Sequence, residues 1–308
     1  MNLYFAPMEG ITTYIYRNTH AQMFGNNATY FAPFINPSEQ ERISQKGMRD
    51  ILPENNTAQT PYVQVLTNNA SSFFKFCQRI SELGYDRINI NLGCPAGTVV
   101  KKGRGAGFLR DKDALDDFLS SVFSNSDLEI SLKTRIGFYE GEEMEELLEI
   151  YNKYPLSSLI IHPRVSEQLY SGIPNMRVFL DAYNKSKNPV CYNGDIYTTD
   201  DFKTITSSYL GICGVMIGRG AVKNPAIFRE ICGGAKITTE ELLEFSERLI
   251  TNYNKVLSSD TFTLHKLKEI WIYMIQNFPE EKKTAKLIKK SNKLTDFLSA
   301  IYQLPKLV

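Results

Sequence analysis

The stretch Arg87-Ile-Asn-Ile-Asn91-Leu-Gly-Cys-Pro95 is a short β-rich run that ends in a tight turn and opens onto the glycine- and lysine-rich segment Gly97 to Gly107. A strand followed at once by a polar, glycine-bearing cluster is half of a βα unit. The same pattern recurs outward in both directions. Candidate strands cover Leu3 to Ala6, Thr29 to Pro33, Tyr62 to Leu66, Arg87 to Asn91, Ile130 to Thr134, Leu159 to His162, Val190 to Asn193 and Gly214 to Ile217, with helical stretches between them. Eight parallel strands with intervening helices most simply close into a (β/α)8 TIM barrel, although an open doubly wound sheet has similar local patterns. Strand count favours the barrel. The polar clusters all follow strands, where a barrel places its active-site loops. The longest irregular stretch, Gly93 to Gly107, is expected to be a mobile lid.

Beyond Gly233-Gly234 the texture changes. From Ile237 to Val308 there is no convincing strand, and apolar residues recur at helical spacing, as in Leu242, Leu243, Phe245, Leu249 and Ile250. This divides the chain into a catalytic barrel over residues 1–235 and a small all-α domain over residues 236–308. Thr238 or Thr239 could cap the first helix, with Glu240 and Glu241 in its favourable first turn.

With 308 residues and 43% hydrophobic content, the chain can bury a large core. It has no basic-then-apolar leader and no apolar run of roughly 18 residues, so a cytoplasmic protein without a membrane span is expected. Five cysteines, an odd number without a C-x-x-C pair, argue against a disulfide framework or a zinc knuckle, and no metal is expected. The formal charge of +1 gives no global attraction for nucleic acid, so a polyanion would need a local patch.

Cys94 sits where a strand ends, between Gly93 and Pro95, which shape a turn able to expose the thiol. Lys101, Lys102 and Arg104 follow and could hold a polyanion nearby. A free thiol with a pKa near ~8.5 is mostly protonated at neutral pH and can serve as a general acid. Nucleophilic catalysis is the competing role, but no His or carboxylate adjoins Cys94 in sequence to activate it. Lys133-Thr-Arg135-Ile-Gly137 and His162-Pro-Arg164 also end strands, so cationic and titratable groups converge on one mouth. That suits an anionic ligand, and a lysine near a reduced flavin would stabilise its anion. Asn193-Gly194-Asp195 and Gly218-Arg219-Gly220 follow strands seven and eight, whose loops often cradle phosphate in barrels. A flavin mononucleotide or a sugar phosphate would fit equally on these grounds.

Taken as a set, Ala6-Pro-Met-Glu-Gly10, Val63-Gln-Val65, Asn91-Leu-Gly-Cys-Pro95, Lys133-Thr-Arg135, His162-Pro-Arg164, Asn193-Gly-Asp195 and Gly214-Val-Met-Ile-Gly-Arg-Gly220 resemble the bacterial-type tRNA-dihydrouridine synthases in order and spacing. The resemblance implies FMN as cofactor, NADPH as reductant, tRNA as partner and a monomeric enzyme. Carried over residue by residue, it puts Pro7, Met8 and Glu9 at the isoalloxazine edge, Gln64 and Lys133 on the ring, and His162 beside it. Asn193, Gly194, Asp195, Gly218 and Arg219 hold the ribityl phosphate end. Cys94 is the proton donor, and Asn91, Arg164 and Tyr170 meet the substrate. In the implied reaction NADPH reduces FMN, hydride passes from flavin N5 to uridine C6, and Cys94 protonates C5. The base must first be extruded from folded RNA.

Near the C-terminus, Lys282, Lys283, Lys286, Lys289, Lys290 and Lys293 have no acidic residue among them and fall at helical spacing, forming a basic stripe suited to phosphates. An ordinary solvated face would look similar. The resemblance implies a tRNA-binding helical domain, with Lys286 and Lys290 as its representative contacts. One departure is Val165, where the family usually has threonine, although Gln168, Tyr170 and Gly172 resume the pattern. The alternatives are a flavin barrel reducing a free pyrimidine or other small molecule, and a non-catalytic RNA-binding module.

Overall fold

The computed structural model describes residues 1–37, 44–257 and 259–307. Its strands are β1 (Asn2–Phe5), β2 (Thr29–Tyr30), β3 (Val63–Val65), β4 (Arg87–Leu92), β5 (Glu129–Arg135), β6 (Leu159–His162), β7 (Val190–Asn193) and β8 (Gly214–Ile217). They run in the order β2-β1-β8-β7-β6-β5-β4-β3, every pairing parallel. Parallel bridges from Phe31 to Tyr62 and from Ile35 to Val65 join the two outermost strands and close the ring into the expected barrel. β2 is shorter than the stretch Thr29 to Pro33 predicts. Pro33 has no N–H to donate, so pairing lapses there and resumes where Ile35 N–H donates to Gln64 O at 2.8 Å.

The alternation within β4 builds two environments. Ile88, Ile90 and Leu92 join the large apolar core between strands and helices. Asn89 and Asn91 fall on the opposite face and are buried. Their amides are satisfied by a chain of side chains: Gln64 Nε2 donates to Asn89 Oδ1 (2.7 Å), Asn89 Nδ2 to Ser131 Oγ (2.8 Å), and Asn91 Nδ2 to Gln64 Oε1 (2.8 Å). Such a network is tolerable in a core because its members are paired. A second apolar cluster holds Tyr4, Phe31 and Tyr62, with Phe31 and Tyr62 stacked at 4.7 Å. Aromatic filling of this kind makes the barrel a packed core rather than a pore.

The segment Gly93 to Gly107 is not the irregular lid that its composition suggests. It folds into a short helix, Gly97–Val100, and a 3₁₀ turn, Gly105–Arg110. Ala106 N–H donates to Cys94 O at 3.0 Å, and Arg104 is held by Asn36 Oδ1 (2.6 Å) and Asn68 Oδ1 (3.3 Å). Gly105 has φ +54°, and a Cβ on it would lie 2.7 Å from Cys94 O. A Cβ on Gly107 would lie 2.7 Å from Val100 O, so these two glycines serve close packing.

The C-terminal helices are Thr239–Asn254, Asp260–Met274, Lys282–Lys290 and Leu294–Ile301. Thr238 is the cap, in a reciprocal box with Glu241. These helices share one continuous apolar core with the barrel. Phe245 meets Tyr16 edge-on at 5.4 Å, Asn252 donates to Thr19 Oγ1 at 3.0 Å, and Asn277 donates to Lys223 O at 2.7 Å. Among the described residues, no helix is long and apolar enough to cross a membrane.

Candidate active site

The C-terminal ends of the strands surround a cavity of about 310 Å³, within the range of small-ligand sites. Its wall contains Pro7, Met8 and Glu9 after β1, Asn91 and Cys94 at β4, Lys133 on β5, His162 on β6, Asn193, Gly194 and Asp195 at β7, and Gly218 and Arg219 after β8. Tyr170 also faces it. These residues are far apart in sequence, and parallel strands of one barrel bring them to one mouth.

The first wall segment is a turn. Met8 N–H donates to Thr12 Oγ1 at 2.8 Å, and Gly10 takes φ +78°, where a glycine is favoured. Glu9 pairs with Lys46 at 3.2 Å on the exposed side.

Cys94 is aimed by its neighbours. Asn91 Oδ1 accepts from the backbone N–H groups of both Gly93 (3.0 Å) and Cys94 (2.9 Å). Arg135 closes the turn from β5, its Nε donating to Gly93 O at 2.9 Å. Burial pushes the Cys94 thiol above its ordinary pKa, against smaller opposing effects of the Ala96 backbone and of Arg135 and Lys133. The thiol therefore keeps its proton at neutral pH, as a general acid requires.

The Lys133 ammonium makes no hydrogen bond or ion pair among the described residues and lines the cavity. Burial, then the nearby Arg135 charge, pushes it down to about 8. An unpaired, desolvated ammonium in a cavity wall awaits an anionic or strongly accepting partner. His162 lies well below its ordinary pKa through burial and then the charges of Lys133, Arg135, Arg164 and Arg219, so its ring is neutral. Arg164 Nη1 is 3.1 Å from His162 Nε2. Arginine has no acceptor, so Nε2 accepts and the proton sits on Nδ1.

At the far end, a Cβ on Gly194 would lie 2.0 Å from Tyr192 Oη, and one on Gly218 would lie 3.2 Å from Ala6 Cβ. Glycine lets both loops pack this closely, and they form a cradle at this end of the cavity. Asn193 Nδ2 donates to Met216 O at 2.8 Å, tying β7 to β8. Arg219 spends one donor on Asp195, Nη2 to Oδ1 at 2.6 Å, and has no other hydrogen bond among the described residues. Its guanidinium also lies over the Tyr170 ring, 4.8 Å from the centroid.

Other expected site residues lie elsewhere. Gln64 is fully buried outside the cavity wall, both ends of its amide engaged with Asn89 and Asn91. Arg164 is buried behind the wall with its donors paired within the protein, not at a substrate surface. Lys286 and Lys290 are exposed on the helix Lys282–Lys290 and are not in the cavity wall. The wall also holds Ile11, Phe34 and Tyr273, which the sequence does not single out, and Arg135, which it places at the mouth without a specific role. For Arg135 the signal is its place at the end of β5, two residues after Lys133. Tyr273 belongs to the helix Asp260–Met274, where periodicity does not distinguish a cavity wall from a core.

A family model described as dihydrouridine synthase matches residues 4–305. The chain is 25% identical over 259 residues to a probable tRNA-dihydrouridine synthase of Staphylococcus aureus strain COL, a match covering 81% of this chain and 76% of that protein. It is 27% identical over 262 residues to tRNA-dihydrouridine synthase B of Shewanella oneidensis, covering 82% and 78% respectively. Among solved structures, morphinone reductase superposes with a TM-score of 0.53 at 11% identity, over 76% of this chain and 86% of that one, a likeness of fold.

Proposed function

The chain belongs to the dihydrouridine synthase family and forms dihydrouridine in tRNA; we propose that it does so with FMN as cofactor, NADPH as reductant and Cys94 as general acid. The observation that carries this reading is the protonated Cys94 thiol sharing a cavity wall with the unpaired Lys133 ammonium and with the glycine-bearing loops at Gly194 and Gly218.

The donor set fits a flavin mononucleotide. Arg219, with donors to spare, and the cradle suit the phosphate, while Lys133 and the His162 Nδ1–H suit acceptor atoms of the ring. Pro7 and Met8 supply apolar wall for its edge, with Glu9 beside them. Asp195 is an anion, so its part is to hold Arg219 rather than to touch phosphate. When bound, FMN reduced by NADPH supplies the hydride taken by uridine C6. Cys94 holds the proton that C5 takes, and solvent restores it to the resulting thiolate. Asn91 fixes the turn that presents that thiol, and Tyr170 offers a ring face beside the mouth for the extruded base.

The six lysines from Lys282 to Lys293 are all exposed, and none is in an ion pair among the described residues. They favour tRNA over a free pyrimidine, which needs no such surface. A monomeric, cytoplasmic enzyme without a metal accords with this reading. Mapping dihydrouridine in tRNA from cells lacking the gene tests it: loss at one or more positions, restored by wild type and not by Cys94→Ala, is expected. An unchanged map overturns it.

A further inference from the structure

Arginine carries five N–H groups, and the fold supplies an acceptor for each one on Arg164. Nε donates to Ser171 O (3.1 Å), Nη1 to His162 Nε2 (3.1 Å) and Asp195 Oδ1 (3.0 Å), and Nη2 to Gly172 O (2.6 Å) and Asp195 Oδ2 (2.6 Å). The side chain is 1% exposed, so no donor remains for a ligand.

Those acceptors sit on three separate parts of the mouth. His162 ends β6, Ser171 and Gly172 close the loop that carries Tyr170, and Asp195 follows β7. That loop holds Leu169 at φ +51° and Gly172 at φ +65°, the first an uncommon conformation for a residue with a side chain. Such strain persists only where the surroundings over-determine the backbone, and two of the Arg164 bonds end on this loop. From Asp195 the linkage continues to Arg219, whose guanidinium returns to the Tyr170 ring at 4.8 Å. A buried ion pair is weak support for stability, since an apolar pair of equal volume often serves as well. Geometry is what this one provides.

The geometry points to Arg164 as a positioning residue: a buried clamp that holds Arg219, the Nδ1–H tautomer of His162 and the Tyr170 ring in one arrangement, linking the cofactor end of the cavity to its substrate end. The identity of the two ligands rests on the FMN and tRNA reading above. Lysine cannot take over the role, because three donors on one nitrogen cannot form a fork on Asp195 while reaching two carbonyls.

The test titrates the flavin-free protein with FMN and measures kcat and KM with tRNA. The variants are Arg164→Lys and Asp195→Asn, each alone and combined with Arg219→Ala. Arg164→Lys is expected to weaken FMN binding by about tenfold and to raise KM for tRNA more than it lowers kcat. With Arg219 already removed, it should change FMN affinity by clearly less than it does alone, since the path through Asp195 is already cut and only the hold on His162 remains. Asp195→Asn cuts the same link in a partly exposed group, and it carries the same expectation if Arg164→Lys does not fold. FMN affinity and KM both within twofold of wild type, or FMN losses that multiply in full in the double variants, overturn the clamp. Wild-type protein that binds FMN but never turns over tRNA refutes the proposed reaction instead, and the FMN titrations still decide on Arg164.

Discussion

Asn91 Oδ1 accepts the backbone N–H of Cys94 at 2.9 Å while its Nδ2 donates to Gln64 at 2.8 Å, so one buried carboxamide ties the thiol-bearing turn to the interior of the barrel. A change at either residue should therefore be felt at the thiol. Asn91→Ala leaves the Gly93 and Cys94 N–H groups without their acceptor, at about 1–3 kcal/mol each if they stay buried. A fall in Tm of several degrees is expected together with slower tRNA reduction. A variant with wild-type Tm and turnover would show that the turn needs no such tie.

Cys94→Ala removes the acid and leaves the rest of the wall in place. Flavin content and visible spectrum should match wild type, while the reoxidation of reduced enzyme by tRNA should slow by about 100-fold or more, the usual worth of a positioned general acid. Stopped-flow single turnovers read this step directly. Equal rates would remove Cys94 from the chemistry.

Lys133 predicts a pH dependence whose sign follows from its value of about 8. The ammonium is present below that pH and lost above it, so flavin affinity and turnover should fall as pH rises through about 8. The unfolded chain holds its lysine proton to about 10.4. Between the two values the unfolded state binds more protons, and the flavin-free protein gains stability as pH rises. Lys133→Met should accordingly raise the Tm of flavin-free protein at pH 7 while weakening FMN binding. Lower stability combined with intact FMN affinity would contradict both halves.

Converting Lys286 and Lys290 to Gln should reduce the slope of log affinity for tRNA against log salt by roughly 1.4–1.8, from about 0.7–0.9 per lost phosphate contact. Filter binding across salt concentrations measures this. An unchanged slope moves the RNA surface elsewhere. Deleting the helical region is a poorer test, because Phe245, Tyr253 and Leu249 are buried in the core shared with the barrel.

Gly220→Ala places a Cβ 1.9 Å from Ile196 O, a backbone atom that no rotamer change can move aside. The variant should lose about 1–3 kcal/mol of stability. FMN affinity should fall as well, because Gly220 adjoins Arg219 and Ile196 adjoins Asp195. Urea melts and FMN titration check the two effects, and wild-type behaviour in both would mean that the loops after β7 and β8 are not rigidly packed.

The sequence by itself determined the barrel and the set of strand ends that carry the chemistry. Strand and turn signals are local: the runs at β6, β7 and β8 are legible residue for residue, and the glycines of Asn193-Gly194-Asp195 and Gly218-Arg219-Gly220 mark close backbone approach wherever they stand. What only the tertiary structure decided is which side chains reach the cavity and which stand behind it. The family resemblance implies ligand contacts for Gln64 and Arg164, yet paired donors hold both in the interior, while Tyr273 arrives from a helix more than a hundred residues beyond Lys133. The direction of a polar side chain is set by the partners that three-dimensional packing offers it, and a burial cost of a few kcal/mol for an unpaired group outweighs any local preference.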